Sequence, residues 1–478
     1  MISLKHISIA LVALCIAACD DDDKTVPHAT TTTSDTSKLV SSTTIEANRF
    51  VWDIMSFYYY WNAEIPQLDY RTQPNTSDYF YDLLSSKDRF SFITDDAEAF
   101  LDTEEGNYTS FGWSYFLSRI SQENNDVVAV VTQVHDKTPA KAAGAKRGDV
   151  IFKINNTQLT VDNYQTLIKY DTNVTFSGTR GTDAFEYTMS TADVNINPVA
   201  KVSTFTLDDG RTAGYLLFNE YKDAFDDDLK AAFDLFKQQG VSELVLDLRY
   251  NNGGSLATAV SLCSGIAPEE AVGQDKPLLY YDFNKTLKQS YPETYALENA
   301  AELLNDTTIA NLNLSRLIAL CGPDTYSAAE ATIWGLKPYM DVVTIGETTG
   351  GKNTMMFGLA PSDFTYTGTG RPYYSSTIDN WLAFPIVGQY LNANLEAFDT
   401  TDGDGFAPDY EVNELENLFF KGLYDLGEPE EPLLRAALEY LNTGAISANK
   451  SVAPEMVKIT SSVAQKPHLC FKRQKVEL

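Results

Sequence analysis

From residue 203 onward, apolar runs of strand length alternate with amphipathic stretches of helical period, and this alternation constrains the fold more than any other feature. Gly214-Tyr215-Leu216-Leu217-Phe218 reads as a strand, and Leu229, Ala232, Phe233 and Phe236 form a helical stripe. Leu244–Leu248 is a buried strand running into Asn251-Asn252-Gly253-Gly254, after which Leu256, Ala259, Val260 and Cys263 continue as a helix. Leu317–Cys321 is another strand, followed by a Gly-Pro turn and then Ser327 at a helix start. Val342–Gly346 is the strand before Thr349-Gly350-Gly351-Lys352. The expected architecture for residues 201–445 is an α/β core.

Three glycine-flanked segments of this core carry chemistry: Asp247–Gly254, Thr325–Glu330 and Thr348–Asn353. A serine at a helix N-terminus presents its hydroxyl at the end of a strand, where the helix dipole favours negative charge. The Ala328 N–H then points toward a developing oxyanion, and Gly253 or Gly254 offers a second donor, because glycine lets the backbone approach a ligand closely. The chain has four histidines, His6, His28, His135 and His468, and none lies between residues 136 and 467. The base for Ser327 must therefore be another residue, and Lys352 is the best placed. A free lysine titrates near about 10.4, roughly three units too high for work near neutrality. Burial among apolar side chains lowers that value. Gly350 and Gly351 precede Lys352, Met355, Met356 and Phe357 follow it, and the nearest acid in sequence is Glu347. Thr349 is a candidate to orient the amine.

A chain of 478 residues predicts about three domains. A formal charge of −30 argues against nucleic acid as a partner. Lys5, an apolar run from Ile7 to Ala18 and then Cys19 read as a secretory signal, too short to span a bilayer. Ile16-Ala17-Ala18-Cys19 resembles a bacterial lipobox, which implies lipidation at Cys19 and a protein held on the cell-envelope membrane by a lipid anchor. Asp20–Asp23 resembles the surface-export signal of Bacteroidetes lipoproteins, with a solvated spacer as the alternative. The Thr- and Ser-rich residues to 44 read as a flexible tether. Cys263 and Cys321 sit in apolar runs and read as buried small hydrophobes. No Cys/His spacing suggests a metal, and no cofactor is implied.

Residues 45–105 read as helical, with Ile45, Val51, Trp52, Met55, Tyr58 and Tyr59 at helical spacing and Ser77-Asp78 as a cap before Tyr79. Residues 106–200 change to β-branched runs. There, Thr138-Pro139 through Asn155, with two glycine turns, strongly resembles the core of a PDZ domain, an α+β unit. The matching carboxylate-binding loop is Phe111-Gly112-Trp113, whose adjoining strand edge would pair with an extended peptide. Residues 446–478 are basic and read as a flexible or docking extension. Ser447-Ala448-Asn449-Lys450 has the Ser-x-x-Lys spacing but lacks companion motifs. Asp399, Asp402, Gly403, Asp404 and Gly405 resemble a calcium loop without completing the pattern, and a solvated turn is the better reading.

Taken together, these segments resemble the carboxy-terminal-processing, or tail-specific, serine peptidases over residues 45–441. Ala407-Pro408-Asp409 and Glu431–Leu441 resemble the closing motifs of that family. The resemblance implies a crotonase-like (ClpP/crotonase) core with a PDZ domain and an N-terminal helical domain. It implies a Ser327 nucleophile, a Lys352 base, oxyanion donors at Gly253 or Gly254 and Ala328, and a supporting Glu330. It also implies polypeptide substrates with exposed C-termini. Two departures stand out: Pro338 occupies a position where some members have Asp, with Asp341 offset nearby, and Thr325-Tyr326-Ser327 replaces the usual Ser-Ala-Ser. The alternatives are a peptide-binding scaffold that does not cut and a hydrophobic-ligand carrier on the same fold.

Overall fold

The computed structural model describes residues 40–477 except 121–123, 367–368, 401–402, 416–417, 448–455, 463–469 and 474–475, with backbone alone at 470–473 and 476–477. The leader, Cys19, Asp20–Asp23, most of the tether, and Lys450 of the Ser-x-x-Lys match lie outside the described residues. Among the described residues, no helix is long and apolar enough to cross a membrane.

The N-terminal unit is built on helix α1 (Ser42–Phe57), capped by the Ser41 hydroxyl, and α2 (Thr76–Asp82). The cap of α2 is Asn75, whose side chain accepts from the Asp78 N–H, so the helix starts before the expected Ser77-Asp78. Asn is as good an N-cap as Ser and comes first in the chain. The buried face of α1, with Phe50, Val51, Ile54 and Met55, belongs to the same apolar cluster as the core.

Next come β1 (Trp113–Arg119), β2 (Val127–Val134), β3 (Asp149–Ile154), β4 (Val174–Arg180) and β5 (Asp183–Met189), antiparallel neighbours in that order. The one-turn helix Pro139–Ala142 is capped by Thr138 and carries proline in its first turn, where a missing N–H costs nothing.

The core follows as β6 (Val199–Thr206), β7 (Thr212–Phe218), α3 (Asp226–Gln238), β8 (Val241–Asp247), β9 (Gly254–Ser255), α4 (Leu256–Ile266), β10 (Pro277–Phe283), β11 (Ala301–Leu303), β12 (Arg316–Cys321), α5 (Ala328–Leu336), β13 (Asp341–Gly346), β14 (Thr354–Gly358), β15 (Ile386–Leu391), β16 (Tyr410–Glu411) and α6 (Pro432–Thr443). One sheet has the order β6-β7-β8-β12-β13-β16, parallel from β7 onward. The buried residues of α3 are Leu229, Ala232, Phe233 and Phe236, the stripe read from the sequence. The residues after 455 add β17 (Val457–Ser461) and β18 (Cys470–Arg473). β17 joins the β1 edge, and β18 lies between β9 and β14 in a second sheet ordered β9-β18-β14-β15-β10-β11. The fold class is the expected one: a crotonase-like core with a mixed sheet, a PDZ domain and an N-terminal domain.

Candidate active site

Three adjacent parallel strands end at one edge of the sheet, and each leads into a loop carrying candidate residues. Register pairs Asp247 of β8 with Leu320 of β12, and Cys321 of β12 with Gly346 of β13, so the loops begin level. The carboxyl ends of parallel strands are the usual place for a site. The loops are tied to one another. The Tyr326 N–H donates to the Asn251 carbonyl and the Gly350 N–H to the Thr325 carbonyl, each at 2.9 Å. The Thr325 hydroxyl donates to the Leu248 carbonyl at 2.8 Å.

Ser327 caps α5 with φ 61° and ψ −115°. For a non-glycine residue this conformation costs about 1–3 kcal/mol and persists only where neighbours enforce it. Glu330 Oε2 accepts the Ser327 N–H at 2.8 Å, and the Ser327 carbonyl accepts from Ala331 N–H at 2.7 Å and from the Tyr390 hydroxyl at 3.2 Å. The Ser327 hydroxyl faces Lys352 instead of capping its own helix, with Oγ and Nζ 3.3 Å apart. Such contacts are commonly this loose before substrate binds.

Lys352 is wholly buried, as is Ser327. Its Nζ lies 3.6 Å from Met356 Sδ and 5.5 Å from the centre of the Phe90 ring. Its backbone is fixed at both ends, the N–H by Glu330 Oε2 at 2.8 Å and the carbonyl by the Tyr390 hydroxyl at 2.7 Å. Gly351 has φ +82°, and a Cβ there would stand 2.4 Å from the Asp404 carbonyl carbon, so no other residue fits before the lysine.

Glu330 joins the two halves of the site. Besides Ser327 and Lys352, it accepts the Gly351 N–H at 2.8 Å and the Thr349 hydroxyl at 2.6 Å. Burial pushes its carboxyl above the ordinary value, opposed by these hydrogen bonds, which favour the charged form. Thr349 therefore does not orient the amine as expected: a buried carboxylate is a stronger acceptor than an amine, and it takes the hydroxyl.

Of the two oxyanion candidates in the first loop, the Gly253 N–H is already taken by Asn251 Oδ1 at 2.9 Å. Gly254 has φ +138°, and a Cβ there would lie 2.0 Å from the Tyr221 carbonyl oxygen. Ala328 is buried as the first residue of α5, where a helix leaves its N–H groups without internal acceptors.

In the loop Phe111-Gly112-Trp113, one of the expected carboxylate donors is already engaged. The Gly112 N–H donates to Ser110 Oγ at 3.0 Å, and the Phe111 and Trp113 rings pack edge-on against Phe176, with centroids 5.3 and 4.9 Å away. Both rings are partly buried and pack against the apolar cluster of their own unit. Asp341 stands exposed at the start of β13, the strand end away from Lys352. The acidic loop near residue 403 is a brace: Arg89 donates to the Gly403 and Gly351 carbonyls at 2.7 Å each, and Gly405 N–H to the Thr349 carbonyl at 2.9 Å.

Behind the first loop lies a buried ionic cluster. Arg249 is bound by Asp247 and, through both terminal nitrogens, by Glu431 at 2.5 and 2.9 Å. Arg147, from the turn before β3, reaches in to Glu414 Oε2 at 2.7 Å, the Tyr250 hydroxyl at 2.6 Å and the Tyr424 carbonyl at 3.0 Å. Asp409 fastens the Ala407-Pro408-Asp409 segment to β13 by accepting from the Thr344 N–H and hydroxyl at 2.8 and 2.9 Å. Sequence reasoning missed Tyr390, Phe90, Arg89 and Arg147. Tyr390, Phe90 and Arg89 lie far along the chain from the residues they hold and sit in no motif, and Arg147, inside the Thr138–Asn155 stretch, gives no sign in sequence of the distant partners it reaches.

Three family models match: "Peptidase family S41" at 212–412, "Peptidase S41 N-terminal domain" at 46–92 and "PDZ domain" at 130–176. The first two together take in about half of the chain. A "Probable CtpA-like serine protease" of Staphylococcus saprophyticus is 22% identical over 267 residues, covering 54% of this chain and 47% of that protein. One of the same description from Staphylococcus aureus is 23% identical over 241 residues, covering 49% and 43%. The matched region thus spans under half the length of these two relatives. A crystal structure described as "Putative S41 protease" from Bacteroides fragilis superposes with a TM-score of 0.62 at 28% identity, over 82% of this chain and 96% of that one.

Proposed function

The chain belongs to peptidase family S41, and on that premise we propose that it is a serine endopeptidase in which Ser327 and Lys352 form the catalytic dyad. The observation that carries this reading is the 3.3 Å approach of Lys352 Nζ to the Ser327 hydroxyl, both buried, at the N-terminus of α5. Neutral Lys352 takes the hydroxyl proton as Oγ attacks the scissile carbonyl carbon. The Ala328 N–H, with that of Gly254, receives the oxyanion. The lysine then gives its proton to the departing amine, and water releases the acyl group by the reverse sequence. Glu330 positions both partners through their backbones without touching substrate. The direct test is incubation with an unfolded protein, comparing wild type with Ser327→Ala. Failure of the wild type to cut under any condition would favour a binding scaffold or a hydrophobic-ligand carrier on this fold.

The substrates in this reading are polypeptides with exposed, poorly folded C-termini, selected through the PDZ unit. Amidating the C-terminus of one test peptide removes the carboxylate and is expected to slow its cleavage. Equal rates for acid and amide would show that the unit does not select by C-terminus.

From the Ile16-Ala17-Ala18-Cys19 sequence we further propose that the protein is held on the cell envelope by a lipid on Cys19. Cys19→Ala is expected to move it from the detergent phase to the aqueous phase, or to block its maturation. Unchanged partitioning would remove the anchor from the proposal.

A further inference from the structure

The described residues after 455 form three short strands; β17 and β18 stand where a bound polypeptide would, and the third, Val476–Glu477, pairs with Phe364–Thr365. β17 runs antiparallel to β1, with Val457 opposite Arg119 and Ser461 opposite Phe116. Ser462 and Tyr115 continue the pairing: the Ser462 N–H donates to the Tyr115 carbonyl at 2.8 Å, and the Tyr115 N–H to the Ser462 hydroxyl at 3.0 Å. This is the strand edge next to Phe111-Gly112-Trp113, and the segment advances along it toward that loop. Ile459 packs on the apolar cluster of the same unit. Side-chain bonds hold the segment to the loop carrying the nucleophile: Ser461 Oγ donates to Asp324 Oδ1 at 2.8 Å, and Lys458 Nζ lies 3.2 Å from the same oxygen.

β18 lies against the candidate active site itself. It is parallel to β9, with Cys470 opposite Gly254 and Phe471 opposite Ser255. On its other side it is parallel to β14, with Phe471, Lys472 and Arg473 opposite Met356, Phe357 and Gly358. One wall of this slot is therefore the candidate oxyanion glycine, and the other is the strand that begins two residues after Lys352. Without β18, β9 and β14 are not neighbours, and each presents an open backbone edge, which is a template for an added strand. Residues 456–478 carry Lys458, Lys466, Lys472, Arg473 and Lys475 against Glu477 alone, in a chain of net charge −30. Ser327 and Lys352 are both closed to solvent in this arrangement.

We propose that β17 and β18 are intramolecular occupants of the peptide path, β17 on the β1 edge and β18 in the slot between β9 and β14, and that the enzyme rests in a self-blocked state until a polypeptide displaces them. The proposal rests on the peptidase reading for its consequence in activity, while the occupancy stands on the strand pairing. A tethered segment competes at an effective concentration on the order of millimolar, so even a weak one suppresses binding from solution strongly. Release is expected to raise the cleavage rate on an unfolded protein about tenfold or more.

The test uses three proteins beside wild type: a chain ending at Ser447, full-length Phe471→Pro, which removes a ladder N–H from β18, and full-length Lys458→Glu/Ser461→Asp, which sets negative charge against Asp324. Cleavage of denatured casein is compared first. The same set is then prepared with Ser327→Ala, and binding of a fluorescein-labelled synthetic peptide of residues 456–478 is followed by anisotropy. The proposal expects the shortened chain to bind the peptide and the intact chain to exclude it. Should the shortened chain fail to fold by circular dichroism, Phe471→Pro takes its place. Equal binding to both chains, or binding to neither, overturns the proposal. Selective binding without casein cleavage by any variant would keep the occupant and overturn the peptidase reading instead.

Discussion

Ser327→Ala and Lys352→Ala are each expected to reduce cleavage of an unfolded protein by about 10⁴-fold or more, and the double variant to be no worse than either single one. Two groups that exchange one proton act as a unit, so their losses do not add. Lys352→Arg is expected to be equally inactive despite keeping a positive charge, because a guanidinium does not give up its proton at working pH. It also places a larger head against Phe90 and Met356, in a site with no solvent exposure. The measurement is initial rate with matched circular dichroism spectra. Full activity in either alanine variant would remove the dyad assignment.

The second large effect is on stability. Arg249→Met is expected to destabilise the protein by about 3–5 kcal/mol, because buried Asp247 loses its cation and buried Glu431 keeps only Arg147, 3.7 Å away. That corresponds to a fall in Tm of roughly 10 °C for a core of this size, measured by scanning calorimetry at neutral pH. The acid side carries a second signature. Burial alone would push Glu414 up, but Arg147 and Arg249 outweigh it and hold the carboxyl at about 2. A depressed carboxyl stabilises the fold fully above its ordinary value of 4.5 and loses that contribution as pH falls to about 2. Arg249→Met is therefore expected to narrow the gap between neutral and acid stability. A variant melting within a degree of wild type at both pH values would show that the cluster is replaceable by packing.

The readable parts of this chain were those in which one short stretch carries the whole signal. The α3 stripe follows from its 3.6-residue period, and β8, β12 and β13 from apolar runs that lead into glycine-containing turns. Ser327 and Lys352 could be paired because histidine is missing from the region and both flank glycine turns. The partners that hold them could not. Tyr390 reads as one more apolar strand residue, and only the crossing of β14 and β15 brings its hydroxyl to the Ser327 and Lys352 carbonyls. Thr349 was misread for a related reason: its neighbour in sequence is the lysine loop, but its neighbour in space is Glu330, a helix turn beyond the serine. The PDZ aromatics carry a weaker signal, since a Phe-Gly-Trp stretch looks the same whether its rings wall a groove or pack against the core of their unit.

Arg147 bears on how such a protein could be recombined. The residue belongs to the PDZ unit and donates to the Thr132 carbonyl there, yet the same guanidinium reaches into the next unit and touches the tyrosine of the Asp247–Gly254 loop. The boundary between the two is therefore not a seam along which parts can be exchanged. Replacing the PDZ unit with a homologue lacking this arginine would leave Glu414 with the more distant Arg249 as its cation and slacken the turn leading to Gly254. Exchanging the unit in a chimera would therefore also disturb the packing beside the candidate active site.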